Sequence, residues 1–247
     1  MNRRSPLLAS LVALFLLMAA GLTHAVLSTT ITPSGKVAQE SRNIKGYTGI
    51  AIAVPGTIVV RQGDYAPIAI EADDNLLPEI ETAVEGGILK VRFKRKLNVA
   101  GRATIRLLVT GPTFESLAVA GSGDILAEAL KSQALSVSVA GSGDVKIARL
   151  DAQSLKASVA GSGDIKVAGR AAEVNVSVAG SGDVEADRLE SRRAKVSIAG
   201  SGDVSVWAVE SLDVTVAGSG DIRYYGDPAV TKRTAGSGTL RRLGTAP

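Results

Sequence analysis

The stretch Leu135-Ser136-Val137-Ser138-Val139-Ala140-Gly141-Ser142-Gly143-Asp144-Val145-Lys146-Ile147 decides the fold. Leu135, Val137, Val139, Gly141, Gly143, Val145 and Ile147 share one parity. Ser136, Ser138, Ala140, Ser142, Asp144 and Lys146 share the other. Successive side chains of a strand point to opposite faces, so the first set faces a core and the second faces out. The alternation crosses the Gly-Ser-Gly without losing phase, which excludes a simple hairpin. The strand passes instead through a bend where both glycines face inward, because a side chain has no room or a positive φ is required. The same parity holds over Leu155–Val167 and from Val174 through Val178 to Val184.

The unit recurs. Gly-Ser-Gly-Asp starts at Gly121, Gly141, Gly161, Gly180, Gly200 and Gly218, and a degenerate copy, Gly236-Ser237-Gly238-Thr239, follows. The steps are 20, 20, 19, 20, 18 and 18 residues. A fixed period of this length marks a solenoid, each repeat being one coil stacked on the last. Each coil holds about two strands and a turn. Polar connectors such as Arg149–Ser154 carry an apolar plug, at Leu130, Leu150, Leu189 and Val209. Coils stack ~4.8 Å apart, so seven of them make a rod of about 30 Å. Parallel stacking predicts an all-β chain folded as a right-handed parallel β-helix, or β-solenoid, with ~18–20-residue coils.

Upstream, the chain reads as short strands at Ile50–Val54, Thr57–Gln62, Ile68–Ala72, Ile88–Lys94 and Thr104–Thr110. Asp73-Asp74-Asn75 breaks the pattern, and Leu76–Val84 is expected to form one or two helical turns. These irregular strands supply the first coils and one cap, and Tyr224–Pro228 interrupts the last repeat and helps form the other. Arg3 and Arg4 followed by the apolar run Leu7–Leu22 and by Thr23-His24-Ala25 read as a secretory signal cleaved after Ala25. The division is then a signal peptide (1–25), a flexible linker (26–45), an N-terminal β region (46–115), the repeat solenoid continuous with it (116–243) and a tail (244–247).

The chain has no cysteine, and its one histidine, His24, lies in the signal. Disulfides, thiol catalysis and the usual zinc ligands are thereby excluded. Loss of Arg3 and Arg4 leaves 26 basic against 24 acidic residues, too near neutral for a nucleic-acid partner.

The reiterated Val-Ala-Gly-Ser-Gly-Asp-Val blocks resemble the head GIN domain family of putative auto-transporter adhesins. Val60–Asp64, Ile70–Leu77 and Tyr225–Pro228 ahead of the final Gly-Ser-Gly add to the resemblance, which covers Arg42 to Leu243. It implies a β-solenoid, an envelope or surface location in a bacterium, and no catalytic residues. An autotransporter also carries a membrane barrel of ~10-residue amphipathic strands. None follows the repeats here, so delivery to the surface is expected to use another carrier.

Three features are candidates for chemistry. Asp124, Asp144, Asp164, Asp183, Asp203 and Asp221 stack in a row if the coils are in register, ~5 Å apart, where like charges repel by roughly 3 kcal/mol at an effective dielectric near 20. Local backbone N–H groups and serine hydroxyls offer an offset, which gives the aspartates a structural turn role. The other reading is a ladder of weak Ca²⁺ sites, although calcium wants six to eight oxygens and one Asp plus one Ser per coil is a thin supply. No other cofactor is expected. The outward Ser122, Ser142, Ser162, Ser181, Ser201 and Ser219 form a polar face able to meet sugar hydroxyls, and Trp207, the lone tryptophan, reads as a cap or edge residue. Lys90, Arg92, Lys94, Arg95, Lys96, Arg102 and Arg106 form a basic cluster, balanced by Glu71, Asp73, Asp74, Glu79, Glu81 and Glu85.

Short connectors leave no cleft, and equivalent acids cannot hold the different pKa values that acid–base catalysis needs. The sequence thus predicts a non-enzymatic, secreted binding or structural module whose partner is a carbohydrate or an envelope protein. A periplasmic scaffold and, further off, a polysaccharide-acting enzyme are the alternatives.

Overall fold

The computed structural model describes residues 29–247. The predicted signal peptide and its expected cleavage after Ala25 lie outside the described residues. In the repeat region each coil is a nearly continuous strand that wraps around a corner: β12 (Leu130–Gly141), β13 (Val145–Gly161), β14 (Ile165–Gly180), β15 (Val184–Gly200) and β16 (Val204–Gly218). β10 (Ser116–Gly121) and β11 (Asp124–Ala127) make the coil before them, and β17 (Ile222–Tyr225), β18 (Ala229–Gly236) and β19 (Leu240–Gly244) close the series. All are paired in parallel, with slips of register confined to the connectors and the last coil, so Val139 stacks on Val159, then Val178, Ile198 and Val216. Each of these is at most 2% exposed. Equivalent residues bury against equivalent residues, and small β-branched side chains fill the narrow interior at crystal-like density.

The two glycines of each bend serve different ends. Gly143 faces inward, and a Cβ there would lie 1.9 Å from the Gly123 carbonyl oxygen of the coil before it. Gly141 is half-exposed with φ of 133°, a conformation that disfavours L side chains, and its Cβ would meet the Gly121 oxygen at 2.4 Å. Only the second glycine is therefore inward-facing.

The N-terminal coils are built in a different order. Their strands are β3 (Gly49–Ile52), β4 (Thr57–Gln62), β5 (Ile68–Asp73), β6 (Ile80–Glu85), β7 (Ile88–Phe93) and β9 (Ile105–Gly111). β10 and β11 stack on β3 and β4, while β7 and β9 stack on the other side of β3 and β4. The chain thus leaves its first coil, builds the coil outside it, and returns. β6 then pairs antiparallel with β7, and β5 with β9, which ends the parallel stack.

Two expectations are corrected here. Leu76–Val84 holds only a 3-10 turn at Leu77–Glu79, after which the chain extends into β6. The strand wins because Ile80 is fully buried and the ladder to β7 satisfies the backbone. The stretch 26–45 is not a flexible linker over its described part. β1 (Thr29–Ile31) pairs with β8 (Leu97–Val99), and β2 (Val37–Arg42) pairs antiparallel with β5. Buried Asp73 holds this stretch, accepting the Gly35 N–H at 2.7 Å and the Thr104 N–H at 2.8 Å. Asp74 accepts the Ser34 hydroxyl, and Asn75 donates to the Thr32 carbonyl. The Asp-Asp-Asn break is a clamp on chain about 40 residues earlier, a distance across which no local pattern speaks.

Val209 is the third correction: it is 47% exposed. In this shortened coil the ladder slips between Ala186 and Glu190 and again after Ser191, so that Trp207 stacks on Glu190 and buried Ala208 on Ser191, and Val209 falls outside the plug column. Leu130, Leu150 and Leu189 are buried as expected.

The two ends are closed by different means. At the N-terminal end the Arg42 guanidinium reaches from β2 to β6, donating to the Ile80 carbonyl at 2.9 Å and to Thr82 Oγ1 at 3.0 Å. At the C-terminal end Lys232, Thr234 and Arg242 take the register positions of Val214, Val216 and Tyr224. Charged residues at core register terminate an apolar stack and oppose pairing with a further edge. Arg242 also donates to the Gly226 carbonyl at 2.7 Å and pairs with Asp227 at 3.2 Å, so the Tyr224–Pro228 interruption does take part in this cap.

Candidate functional site

The aspartate row is a hydrogen-bonded ladder. The N–H groups of both Ser142 and Gly143 donate to the single Gly121 carbonyl, at 2.8 and 3.0 Å, and the bends at Gly161, Gly180, Gly200 and Gly236 do the same. The next N–H, that of Asp144, is supplied with an acceptor by Asp124 Oδ1 at 3.0 Å. The pattern repeats from Asp164 to Asp144, Asp183 to Asp164, Asp203 to Asp183 and Asp221 to Asp203, at 2.7–2.9 Å. The donors are thus the following aspartates' own amides, not the serine hydroxyls or the Gly-Ser-Gly amides. The first member, Asp124, donates its N–H to the Gly56 carbonyl, since that coil has no aspartate at this place. In the degenerate seventh copy Thr239 gives both its N–H and its hydroxyl to Asp221 Oδ1. The Thr239 hydroxyl first, then its amide, hold the Asp221 carboxyl below the usual aspartate range. One oxygen of each carboxylate is committed to the ladder, and among the described residues no three metal-binding side chains converge.

Next to the bend, the outward side of the long strands is a lattice of small residues, bordered by the column Ser136, Lys156, Asn175, Lys195 and Asp213. Ser138, Ser158, Ser177, Ser197 and Thr215 form one column. Beside it Ala120, Ala140, Ala160, Ala179, Ala199, Ala217 and Ala235 form a second. The predicted Ser122, Ser142, Ser162, Ser181, Ser201 and Ser219 lie exposed at the adjoining bend. Trp207 stands outside this lattice, half-buried between Glu190 and Tyr225, and its carbonyl accepts the hydroxyl of buried Ser191 at 2.6 Å.

Three of the seven residues of the basic cluster, Lys90, Arg92 and Arg95, are drawn into ion pairs with acids named from the sequence. Arg92 bridges Glu81 at 2.8 Å and Glu85 at 2.9 Å, Lys90 pairs with Glu85, and Arg95 holds Glu79 at 2.7 Å. Hydrogen bonding from Arg95 lowers the Glu79 pKa, and that from Lys90 and then Arg92 lowers the Glu85 pKa.

One feature is absent from the reading of the sequence. On the short side of the coils a single column crosses the whole sheet in register: Ser41, Ala69, Leu108, Val59, Leu126, then Lys146, Lys166, Glu185, Ser205, Arg223 and Arg241. From Lys146 onward it is polar or charged. Over four neighbouring strands, β5, β9 and β4 of the N-terminal region and β11 of the first repeat coil, it is apolar, and Leu126 is 40% exposed. A groove of about 440 Å³ opens over Ala69, Leu108 and Val59, edged by Arg61 and Arg106. The signal lay in the parity of Thr57–Gln62, whose outward set is Thr57, Val59 and Arg61.

A family model described as "Putative auto-transporter adhesin, head GIN domain" matches residues 46–228. The crystal structure of a putative adhesin from Bacteroides fragilis NCTC 9343 is similar, with 28% identity and a TM-score of 0.81 over 86% of this chain and 100% of that one. That of a putative lipid binding protein from Parabacteroides distasonis ATCC 8503 has 26% identity and a TM-score of 0.72, over 87% and 100%. A putative adhesin from Parabacteroides merdae ATCC 43184, at 23% identity and a TM-score of 0.69 over 87% and 100%, shares the fold. No curated protein matches the chain.

Proposed function

The chain belongs to the head GIN domain family of putative auto-transporter adhesins, and on that premise we propose that it is an exported, non-enzymatic binding rod of the bacterial envelope. Its partner is an extended carbohydrate polymer laid along the Ser/Thr–Ala–Ser lattice. One observation carries this reading: hydroxyl and methyl columns run side by side without a long side chain from Ser138 to Thr215. A sugar ring presents C–H faces and hydroxyl edges, which such a surface meets group for group. Small side chains also lose little rotamer freedom on binding. Regularity favours a repetitive ligand, because each coil offers the same contacts ~4.8 Å further on.

The test is retention of insoluble cellulose, chitin and peptidoglycan by the immobilised protein, beside a Ser158→Lys/Ser177→Lys variant with an unchanged melting temperature. The reading expects retention of at least one polymer, a loss of about tenfold in the variant, and no soluble product. Release of oligosaccharides would make the protein an enzyme, and indifference of every polymer would remove the carbohydrate partner. Protease digestion of a tagged copy in intact cells tests the surface location. Digestion only after permeabilisation would leave a periplasmic module.

A further inference from the structure

We propose that the apolar part of the short-side column, in the N-terminal coils, binds the acyl chain of a single-chain anionic amphiphile whose head group is received by Arg61 and Arg106. The repeats show what this column looks like when it only meets water: its six positions from Lys146 to Arg241 hold no apolar residue. The four apolar positions are therefore a local departure: Ala69, Leu108 and Val59 line the groove, and exposed Leu126, paired with Val59, continues the row beyond it. The groove's volume of about 440 Å³ falls within the roughly 300–1,000 Å³ of small-ligand sites. Four adjacent strands span about 15 Å, and the apolar band is one side chain wide. A band that narrow cannot supply the ~800 Å² per partner of a stable protein interface. A linear hydrocarbon has the matching cross-section.

Charge at the groove selects the head group. Arg61 and Arg106 lie on adjacent strands on either side of the apolar row. Among the described residues neither guanidinium is within ion-pair distance of a carboxylate, whereas Arg92, Arg95, Arg170, Arg192 and Arg193 each are. Of the two acids lining the groove, Glu40 is taken by Arg42 at 2.8 Å. Glu71 stands opposite Arg106 in the ladder. Two guanidiniums, one of them facing no acid in register, favour a carboxylate or phosphate over a cation. This site is separate from the small-residue lattice, so its failure leaves the carbohydrate reading untouched.

Calorimetric titration of the purified protein with dodecanoate, dodecyl phosphate and dodecyltrimethylammonium, all below their micellar concentrations, tests the proposal. Saturable binding of an anionic amphiphile is expected, strengthening roughly twofold per added methylene, because an open groove buries about half of each group. Tighter binding of dodecanoate identifies a fatty acid as the source, and tighter binding of dodecyl phosphate a phospholipid head; either supports the site. Val59→Ser and Leu126→Glu place in the column residues that it already carries at Ser205 and Glu185, so folding is preserved, and each should weaken binding about tenfold. Arg61→Gln with Arg106→Gln should erase the preference for anions over the trimethylammonium compound. Unchanged binding by Val59→Ser, no saturable binding at all, or a protein dimer that dissociates on Leu126→Glu would each overturn the proposal.

Discussion

The repeat coils and the N-terminal coils are stacked by the same parallel ladder, yet they satisfy it in opposite ways. From Asp144 to Thr239 the amide that follows each Gly-Ser-Gly finds the same partner, the aspartate one coil before. Between Thr29 and Gly111 each problem has its own answer. Gln62 links β4 to the coil beyond β11, accepting the Lys131 N–H at 2.7 Å and donating to the Lys131 carbonyl at 2.9 Å. Asp73 holds the entering chain, Arg42 covers the outermost edge, and buried Tyr47 donates to the Thr110 carbonyl at 2.9 Å. Burial, and then the neighbouring Tyr65, push the Tyr47 phenol up to about 12. Repetition is a sufficient solution for the middle of a solenoid. It cannot make an end, and it cannot make one groove unlike the rest.

The largest break in this contrast should come from Gly143→Val. Its Cβ would lie 1.9 Å from backbone that cannot yield without moving the whole stack. Loss of about 4 kcal/mol or more, or no folded protein, is expected by thermal denaturation. Gly86→Ala in the N-terminal hairpin, with φ of 59° and open space around it, should lose only about 1–2 kcal/mol. Equal losses would mean that coil-on-coil contact is not what fixes the bend glycines.

Next comes the comparison of acids. Asp73→Ala orphans two amides around a buried carboxylate and should lose about 2–4 kcal/mol, while Asp164→Ala orphans one amide at an exposed bend and should lose about 1 kcal/mol. Asp164→Asn keeps an Oδ1 acceptor and should lie within about 0.5 kcal/mol of the parent in urea denaturation. A large loss with Asn, or calcium-dependent stabilisation that Asn abolishes, would show that the ladder needs its charge.

Acid should weaken both regions. Glu79 and Glu85 in one, and Asp151 and Asp221 in the other, have folded-state pKa values below their ordinary 4.5 and 3.8. The unfolded chain therefore takes up protons first. The stabilisation is complete above those ordinary values and is lost as the pH falls through the lower folded ones. The melting temperature should be flat down to about pH 5 and decline below about pH 4, with Arg95→Gln reducing the decline through Glu79. A decline unaffected by Arg95→Gln would place the acid sensitivity elsewhere. The smallest effect belongs to exposed pairs such as Arg170 and Asp151: Arg170→Gln should leave the melting temperature indistinguishable from the parent's, because solvent screens such a pair.

Val139, Gly143 and Val145 made the coil legible, because parity and period are local properties of a strand. The ordering of the first coils was not. Strands β3 and β7 are both short and apolar on one face, and nothing within either tells β10 to stack on the former. The strand at Val37–Arg42 was hidden for a related reason: mostly exposed, it shows no apolar alternation, and it is placed by its ladder to β5 and by the bonds of Asp73 and Asn75 to Gly35 and Thr32 just before it. The aspartates were legible as a row, but their donors were not, since they depend on two amides sharing the Gly121 carbonyl. The apolar row was written in the outward parity of β4, β9 and β11 and became visible only when three strands distant in sequence were aligned.

The carboxylate ladder also has a direction. Each coil gives an amide to the coil before it and offers an oxygen to the coil after it, and only Thr239 stops offering. A coil duplicated between Gly141 and Gly161 would receive and pass on the same bonds as its neighbours, leaving both caps and the N-terminal groove as they are. Coil number is therefore a free variable of this architecture, and gene duplication can lengthen the molecule in increments of ~4.8 Å. What such lengthening changes is reach: the separation between whatever holds one end and whatever is met at the other.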